Sequence, residues 1–467
     1  MSTPLTRRDA LKGAIGLAAL GVGARIAPPA GASGRDRVAI IGAGAGGVAA
    51  AYFLAGTHDV DVFEAREKIG GHCDSRVIDD RGHAVTVDIG AQFFHPATHP
   101  LYVTLLDEVG LATQTHAAPG SLCVFPVTGG RLRFSSTRPF ETLPNAIGFA
   151  LFTQFARRAI LGGLAWDTTV DEWIRRLPLD RGFKAQVLYP WITATIGCSR
   201  AEAAQASARS ILQTFTLAFP ANPLNGATTY NSKIGLQGNL QRLLDRAPAA
   251  KVHVNAPTQA LARRSDGWVL QTPAGLRGPY RHVVMNAPPR IGRELLRPLP
   301  ALDEVTALLD RYEYFDARLL IHRDPAYMHP RRGTWSAYNA GVDGVECEGS
   351  AWIGALHERL PSGARVDAFK SWAQRRRTEP QHVLAERRFQ HPLINRHAIA
   401  AARGLAPLQG RHGLHFSGSY TTGTDLQETA VYSAMKVAEA IAPDSSTLAS
   451  LRARLAAKGM SDISYDL

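Results

Sequence analysis

Cysteine is scarce in this chain of 467 residues. Cys73, Cys123, Cys198 and Cys347 are widely spaced and form no C-x-x-C pair. That spacing argues against a zinc site and against a disulfide scaffold, and no metal is expected. A bridge in an oxidising compartment stays open, with partners that sequence does not assign. No apolar run reaches the about 20 residues of a membrane-crossing helix, so no transmembrane anchor is expected. The formal charge is +12, yet no dense basic run accompanies it. Helix-turn-helix, zinc-finger and RNA-binding signatures are missing, so no nucleic-acid partner is expected. The dispersed arginine excess biases the protein toward acidic partners or anionic lipid, and no further. There is no internal repeat, no long low-complexity linker and no obligatory acid–base triad. Length and a hydrophobic content of 45% suffice for two domains with real cores.

What is present starts at Val38-Ala39-Ile40-Ile41, a short apolar strand. Gly42-Ala43-Gly44-Ala45-Gly46-Gly47 follows, and then an Ala-rich helical run. Gly42, Gly44 and Gly47 satisfy G-x-G-x-x-G between a strand and a helix, the context a dinucleotide site requires. Gly42 permits the tight turn, Gly44 lets a pyrophosphate approach the backbone, and Gly47 lets helix and strand pack closely. The helix N-terminus offers free N–H groups and partial positive charge to phosphates. The next strand, Val60-Asp61-Val62-Phe63, ends in Glu64, 22 positions after Gly42. That is close to the spacing of about 20 expected of a carboxylate that bonds a ribose hydroxyl.

Glu64-Ala65-Arg66-Glu67-Lys68-Ile69-Gly70-Gly71-His72 resembles the flavin-containing amine oxidase and phytoene desaturase superfamily. There an acid, a short basic stretch and Gly-Gly-Arg follow the glycine turn, and the glycine pair and arginine face the FAD pyrophosphate. His72 stands in the arginine's place. Asp88-Ile89-Gly90-Ala91-Gln92 resembles a turn that in this superfamily lies beside the isoalloxazine ring, which would place Gly90, Ala91 and Gln92 there. Val254 matches a residue whose backbone meets the adenine. His415-Phe416-Ser417-Gly418-Ser419-Tyr420, with the helix Thr429 to Ile441 after it, resembles the closing motif, whose helix N-terminus points at the flavin pyrimidine. Together with His391-Pro392-Leu393, this text is similar to a bacterial branch of amine oxidase-like proteins.

The resemblance implies FAD as cofactor, held by Gly42, Ala43, Gly44, Gly46, Gly47, Glu64, Ala65, Arg66, Gly70, Gly71, His72, Gly90, Ala91, Gln92, Val254, Gly418, Ser419, Gln427, Glu428 and Thr429. Ser419 replaces a family acid, and Leu426 falls where an aromatic-cage tyrosine is usual. Lys233 and Tyr420 are the catalytic candidates, the first for a water near flavin N5, the second for lining the flavin. Cys347 and His72 are attachment points for the flavin by residue type only.

The expected fold class is α/β. It combines a Rossmann-like FAD-binding domain and its β-meander (33–95, 234–290, 400–445) with an inserted α+β substrate domain (96–233, 291–399). A tail follows (446–467). Residues Asp367 to Arg388 read as a charged helix. The aromatics Tyr189, Trp191, Phe215 and Phe219 read as core. The implied reaction moves a hydride from a C–H bond of a small amine or amino-acid-like substrate to flavin N5, with reoxidation by O2 or another acceptor. A desaturase of a lipid or isoprenoid C–C bond is the alternative, and a non-catalytic flavoprotein or partner subunit is a third reading.

The first 32 residues read as an address. Thr6-Arg7-Arg8-Asp9-Ala10-Leu11-Lys12 resembles the twin-arginine motif. An uncharged run follows, Gly13 to Ala24, and Ala30-Gly31-Ala32 offers a cleavage site. The twin-arginine export machinery is therefore an expected partner, and the periplasm or the exterior the expected location.

Overall fold

A computed structural model describes residues 34–222 and 225–467; the export segment lies outside the described residues. Five parallel strands make the first sheet: β1 (Arg37–Ile41), β2 (Asp59–Phe63), β3 (Lys251–His253), β4 (His282–Met285) and β5 (Leu414–Phe416). Their order is β5-β4-β1-β2-β3. Val38, Ala39 and Ile40 are fully buried, because helices cover one face of this sheet and a second layer covers the other. On the first face α1 (Ala45–Leu54) packs against α2 (Gln427–Ile441). Small side chains on both, among them Ala49, Ala50, Ala434 and Ala438, let the two axes approach. On the other face lies the expected β-meander, three antiparallel strands at Ala260–Arg264, Gly267–Thr272 and Gly275–Tyr280. Its Trp268, Leu270 and Tyr280 close a core with Ile41 and Phe63.

A seven-stranded mixed sheet forms the second unit. Its order is Val383–Leu393, Glu313–His322, Phe369–Trp372, Glu346–Trp352, Tyr338–Asp343, Leu122–Pro126 and Phe134–Ser135. Helices between residues 143 and 215 pack on it. Trp191, Phe215 and Phe219 interlock there with Phe149 and Phe152, with Trp191 and Phe215 ring centroids 4.4 Å apart. These aromatics are core, as their spacing suggested.

Three segments differ from expectation. Residues 367–388 hold no helix; they contain the strand Phe369–Trp372 and most of Val383–Leu393. The latter is an edge strand whose side chains alternate in exposure, and its charges (Glu386 and Arg388 outward) suit an edge that must not pair further. Residues 446–467 are not a loose tail. The helix Ser446–Ala457 buries Leu448, Leu451 and Leu455 in the core beside the five-stranded sheet. The helix Pro100–Glu108 also belongs to that unit, through Leu101, Tyr102 and Leu105. All four cysteines are buried and unbridged.

Burial pushes the imidazoles of His99, His322 and His415 down to about 4, and His357 to about 3. Below pH 6.5 the unfolded chain takes up protons that these folded-state groups refuse. Stability is therefore present above that pH and lost as pH falls toward 4, by up to about 1.4 kcal/mol per pH unit for each histidine. Guanidinium unfolding at pH 7 and pH 5 should show the weaker fold at pH 5. His322→Asn, which keeps a partner for Ser371, should remove about one such share of the slope. A His322→Asn variant with the same pH slope as the parent would contradict a buried neutral imidazole at 322.

Candidate cofactor site

Three backbone segments meet at the N-terminus of α1, and a fourth lies against the loop that runs beside it. Gly42 leaves β1 with φ +99°, a conformation that favours glycine, while its N–H bonds the Phe63 carbonyl at 2.8 Å. A Cβ on Gly47 would lie 2.1 Å from the Gly42 carbonyl oxygen, so the helix rests directly on its own turn. The Gly70–Gly71 loop runs alongside. Gly70 N–H donates to the Ala43 carbonyl at 2.8 Å, and a Cβ on Gly71 would meet the Gly44 Cα at 3.3 Å. The closing turn covers the other side: a Cβ on Gly46 would meet Ser417 Oγ at 2.9 Å and Gly418 N at 3.1 Å. The fourth segment is Gly90–Gln92, where Ala91 N–H donates to the His72 carbonyl at 2.9 Å.

Glu64 follows β2 directly, inside this cradle, and is buried. Its carboxylate accepts from the Ala43 N–H and the Arg66 N–H, each at 2.9 Å. Each oxygen keeps a second lone pair, so ribose hydroxyls can still donate to it. Ala65, Arg66 and Val254 sit together at the ends of β2 and β3, where Asn255 N–H bonds the Arg66 carbonyl and Ala256 N–H the Glu64 carbonyl, both at 2.8 Å.

Charge beside the cradle is organised by Asp74, which is 1% exposed. It pairs with Lys68 at 2.8 Å, Arg76 at 3.0 Å, and Arg66 and Arg387 at 3.1 Å. Burial pushes its pKa up, but the Lys68 hydrogen bond and the neighbouring cations outweigh burial and hold the carboxyl below its ordinary value. Four cations around one carboxylate leave a positive surplus. Arg66 carries it to the glycine loop, donating to the Gly71 carbonyl at 3.1 Å.

Toward the seven-stranded sheet lies a polar cluster that the sequence did not announce. The rings of His72 and His391 stack with centroids 5.8 Å apart. His391 Nδ1 faces the Pro392 carbonyl at 3.1 Å, while Nε2 lies 3.5 Å from Asp425. Both ring nitrogens thus face acceptor oxygens. Ser419 donates to the same Asp425, so a carboxylate from six positions downstream stands beside the serine that replaces the family acid. Burial pushes His72 well below its ordinary value, keeping it neutral.

Of the two catalytic candidates read from the sequence, Lys233 Nζ pairs with exposed Glu358 at 2.6 Å, and Tyr420 O–H donates to the Met285 carbonyl at 2.7 Å. The Glu428 carboxylate turns away from the cradle and accepts from Leu101 N–H, Tyr102 N–H and Tyr465 O–H. Burial pushes its pKa up to about 7 against those bonds. Thr429 O–H bonds the Thr424 carbonyl at 2.6 Å, and Gln427 borders the Phe93 carbonyl at 3.5 Å. Cys347 lies in the core of the second unit, not in the cradle. Two further residues went unread in the sequence. Asn286 Nδ2 donates to the Gly42 carbonyl at 3.0 Å and braces the turn from β4. Lys370 is buried on the strand Phe369–Trp372 and donates to the Gly90 carbonyl; burial pushes its pKa down while Asp88 opposes that. The only signal in the sequence was a polar residue inside or just beyond an apolar strand.

The family described as flavin-containing amine oxidoreductases matches residues 45–317, more than half of the chain. The chain belongs to that family. Tryptophan 2-monooxygenase of Pseudomonas savastanoi is 40% identical to it over 81 residues, 17% of this chain and 14% of that enzyme. Two solved structures share the fold. Cyclohexylamine oxidase of Brevibacterium oxydans has a TM-score of 0.60 at 15% identity, over 88% of this chain and 99% of its own. A CLA-producing fatty acid isomerase of P. acnes has a TM-score of 0.61 at 14% identity, over 86% and 98%.

The family's cofactor is FAD, and the cradle fits it. Gln92 is 4% exposed, yet neither end of its amide has a partner among the described residues. A buried amide left open on both ends marks a place for a ligand. Backbone N–H groups at the start of α1 and α2 have no intrahelical acceptor by construction and suit phosphate and pyrimidine oxygens.

Two glycines separate binding from folding. A Cβ on Gly44 would meet only Asn286 Nδ2, at 3.3 Å, and its φ of −75° suits any residue. Gly44→Ala should therefore keep its thermal midpoint and lose FAD affinity by about tenfold or more, ~1.4 kcal/mol. Gly47→Ala should instead lose about 2–3 kcal/mol of stability through overpacking. Equal FAD titrations of Gly44→Ala and the parent would remove the glycine turn from the cofactor site.

Proposed function

We propose that this protein is an FAD-dependent oxidoreductase that removes a hydride from a C–H bond next to the nitrogen of an amine or amino-acid-like substrate. FAD, when bound, supplies the hydride acceptor and passes the electrons on to O2 or another oxidant. The observation that carries the reading is the convergence of three glycine segments, Gly42–Gly47, Gly70–Gly71 and Gly418, on one cradle, with Glu64 beside the glycine turn and the His391–Asp425 pair toward the seven-stranded sheet. Backbone at Gly44 and Gly71 leaves the pyrophosphate room, and Arg66 offsets its charge. The positive end of α2 favours negative charge on the flavin pyrimidine. His391 Nε2 lies beside Asp425, which puts a donor and an acceptor on adjacent side chains. Leu426, where the family has a tyrosine, favours the second reading, desaturation of a lipid or isoprenoid C–C bond.

Anaerobic mixing of the FAD-loaded protein with amines, amino acids and long-chain lipids separates these readings. Bleaching of the flavin by a nitrogen compound is the expected result. Bleaching by lipid alone would move the assignment to desaturation. A flavin that none of the classes reduces would overturn the oxidoreductase reading in favour of a structural flavin or a partner subunit.

Export by the twin-arginine route is part of the same proposal, supported by Arg7-Arg8, the uncharged run Gly13 to Ala24 and Ala30-Gly31-Ala32. Changing Arg7 and Arg8 together to Lys should leave uncleaved precursor in the cytoplasm. A double variant found processed in the periplasm would sink this assignment.

A further inference from the structure

The helix Leu143–Leu161 is apolar on two sides. Its inner side is fixed: Phe152 and Ala156 are fully buried, and Gly148 backs onto the Phe183 ring, where a Cβ would come within 2.9 Å. Its outer side is the anomaly. Leu143, Ile147 and Leu151 recur every fourth residue and are all exposed, and at 3.6 residues per turn Leu161 returns to the side of Leu143. Leu161 is 69% exposed, and Phe140, just before the helix, is 88% exposed. A single surface leucine needs no explanation, but Leu143, Ile147 and Leu151 exposed on one side, with Phe140 and Leu161 at the two ends of the helix, mark a contact surface.

The charge around the stripe selects the partner. From residue 127 to residue 166 the sequence holds five arginines, Arg131, Arg133, Arg138, Arg157 and Arg158, and one acid, Glu141. That acid is already paired with Arg138 at 3.2 Å and with Arg331. A second copy of the chain would set arginine against arginine. An anionic bilayer offers acyl chains to the stripe and lipid phosphates to its rim. The helix cannot span such a bilayer: Asn145, Gln154, Arg157 and Arg158 interrupt it, and no helix among the described residues is long and apolar enough to cross a membrane. With its inner side packed in the protein, the helix offers only the outer apolar side chains and the neighbouring arginines to the headgroup–acyl boundary.

We propose that Phe140 and the helix Leu143–Leu161 form a docking surface for an anionic lipid membrane, which makes this a peripheral membrane protein held by its substrate-domain side. The proposal stands apart from the identity of the substrate.

Co-sedimentation of the FAD-loaded protein with phosphatidylcholine vesicles, with and without phosphatidylglycerol, tests it. Binding to the anionic vesicles should be about tenfold tighter than to the neutral ones, and weaker at high salt. The pair Ile147→Glu and Leu151→Glu lies at exposed positions and should abolish binding while keeping FAD content and thermal midpoint. Should that pair fail to fold, Arg157→Glu with Arg158→Glu probes the rim, with binding to anionic vesicles reduced about tenfold. Wild-type protein that stays in the supernatant with both vesicles overturns the proposal. So does a wild-type dimer in light scattering that the Ile147/Leu151 variant turns into a monomer, because the stripe then serves a second copy.

Discussion

The N-terminus of α1 sits against the end of β1 with no space for a side chain between them. A Cβ on Gly47 would lie 2.1 Å from the Gly42 carbonyl oxygen. This contact fixes where the first turn of α1 begins, and every other part of the cradle is placed relative to it. Gly70 hydrogen-bonds the Ala43 carbonyl, Asn286 braces the Gly42 carbonyl from β4, and Ser417–Gly418 lies over Gly46. Four segments distant in sequence thus meet at one helix end. Their side chains are small because the ligand of such a site is bound by backbone and needs the space.

Electrostatics tie the two units together at the same place. Asp74 follows the Gly70–His72 loop and draws in Arg66, Lys68 and Arg76 from its own unit and Arg387 from the edge strand of the other. A buried carboxylate with one cation would neutralise it; with four, the locality stays positive. Lys370 makes a second tie, from the strand Phe369–Trp372 to the Gly90 carbonyl. Both ties end on loops of the cradle, so the second unit is seated by the same loops that shape the cradle. The His72–His391–Asp425 cluster lies along that seam.

Across the second unit, the helix Leu143–Leu161 shows how one element can serve two surfaces. Its inner side completes the aromatic core around Trp191, and its outer side is left apolar between arginines. Core formation accounts for the first and not for the second.

Much of the nucleotide unit could be read before any coordinates, because its signals are local. G-x-G-x-x-G, the acid at Glu64, the glycine pair at 70–71 and the closing Gly418 each record a backbone demand that few residue types meet, and they lie within single turns of chain. The parallel strands were legible because both faces are buried, which leaves continuous apolar runs such as Val38–Ile41. The segment 367–388 misled because charge spacing alone does not distinguish a solvated helix from an edge strand; pairing with Glu313–His322 decided it. Lys233 and Tyr420 were chosen by position in the chain, and only packing revealed the ion pair with Glu358 and the bond to Met285 that occupy them. His72, His391 and Asp425 come from three separate stretches, and no spacing rule links them. The sequence by itself determined where backbone must bend and approach a dinucleotide, since those constraints act over a few residues. Which side chains gather beside that turn was decided by the docking of the second unit on the loops of the first, because contacts between residues hundreds of positions apart exist only after both cores have formed.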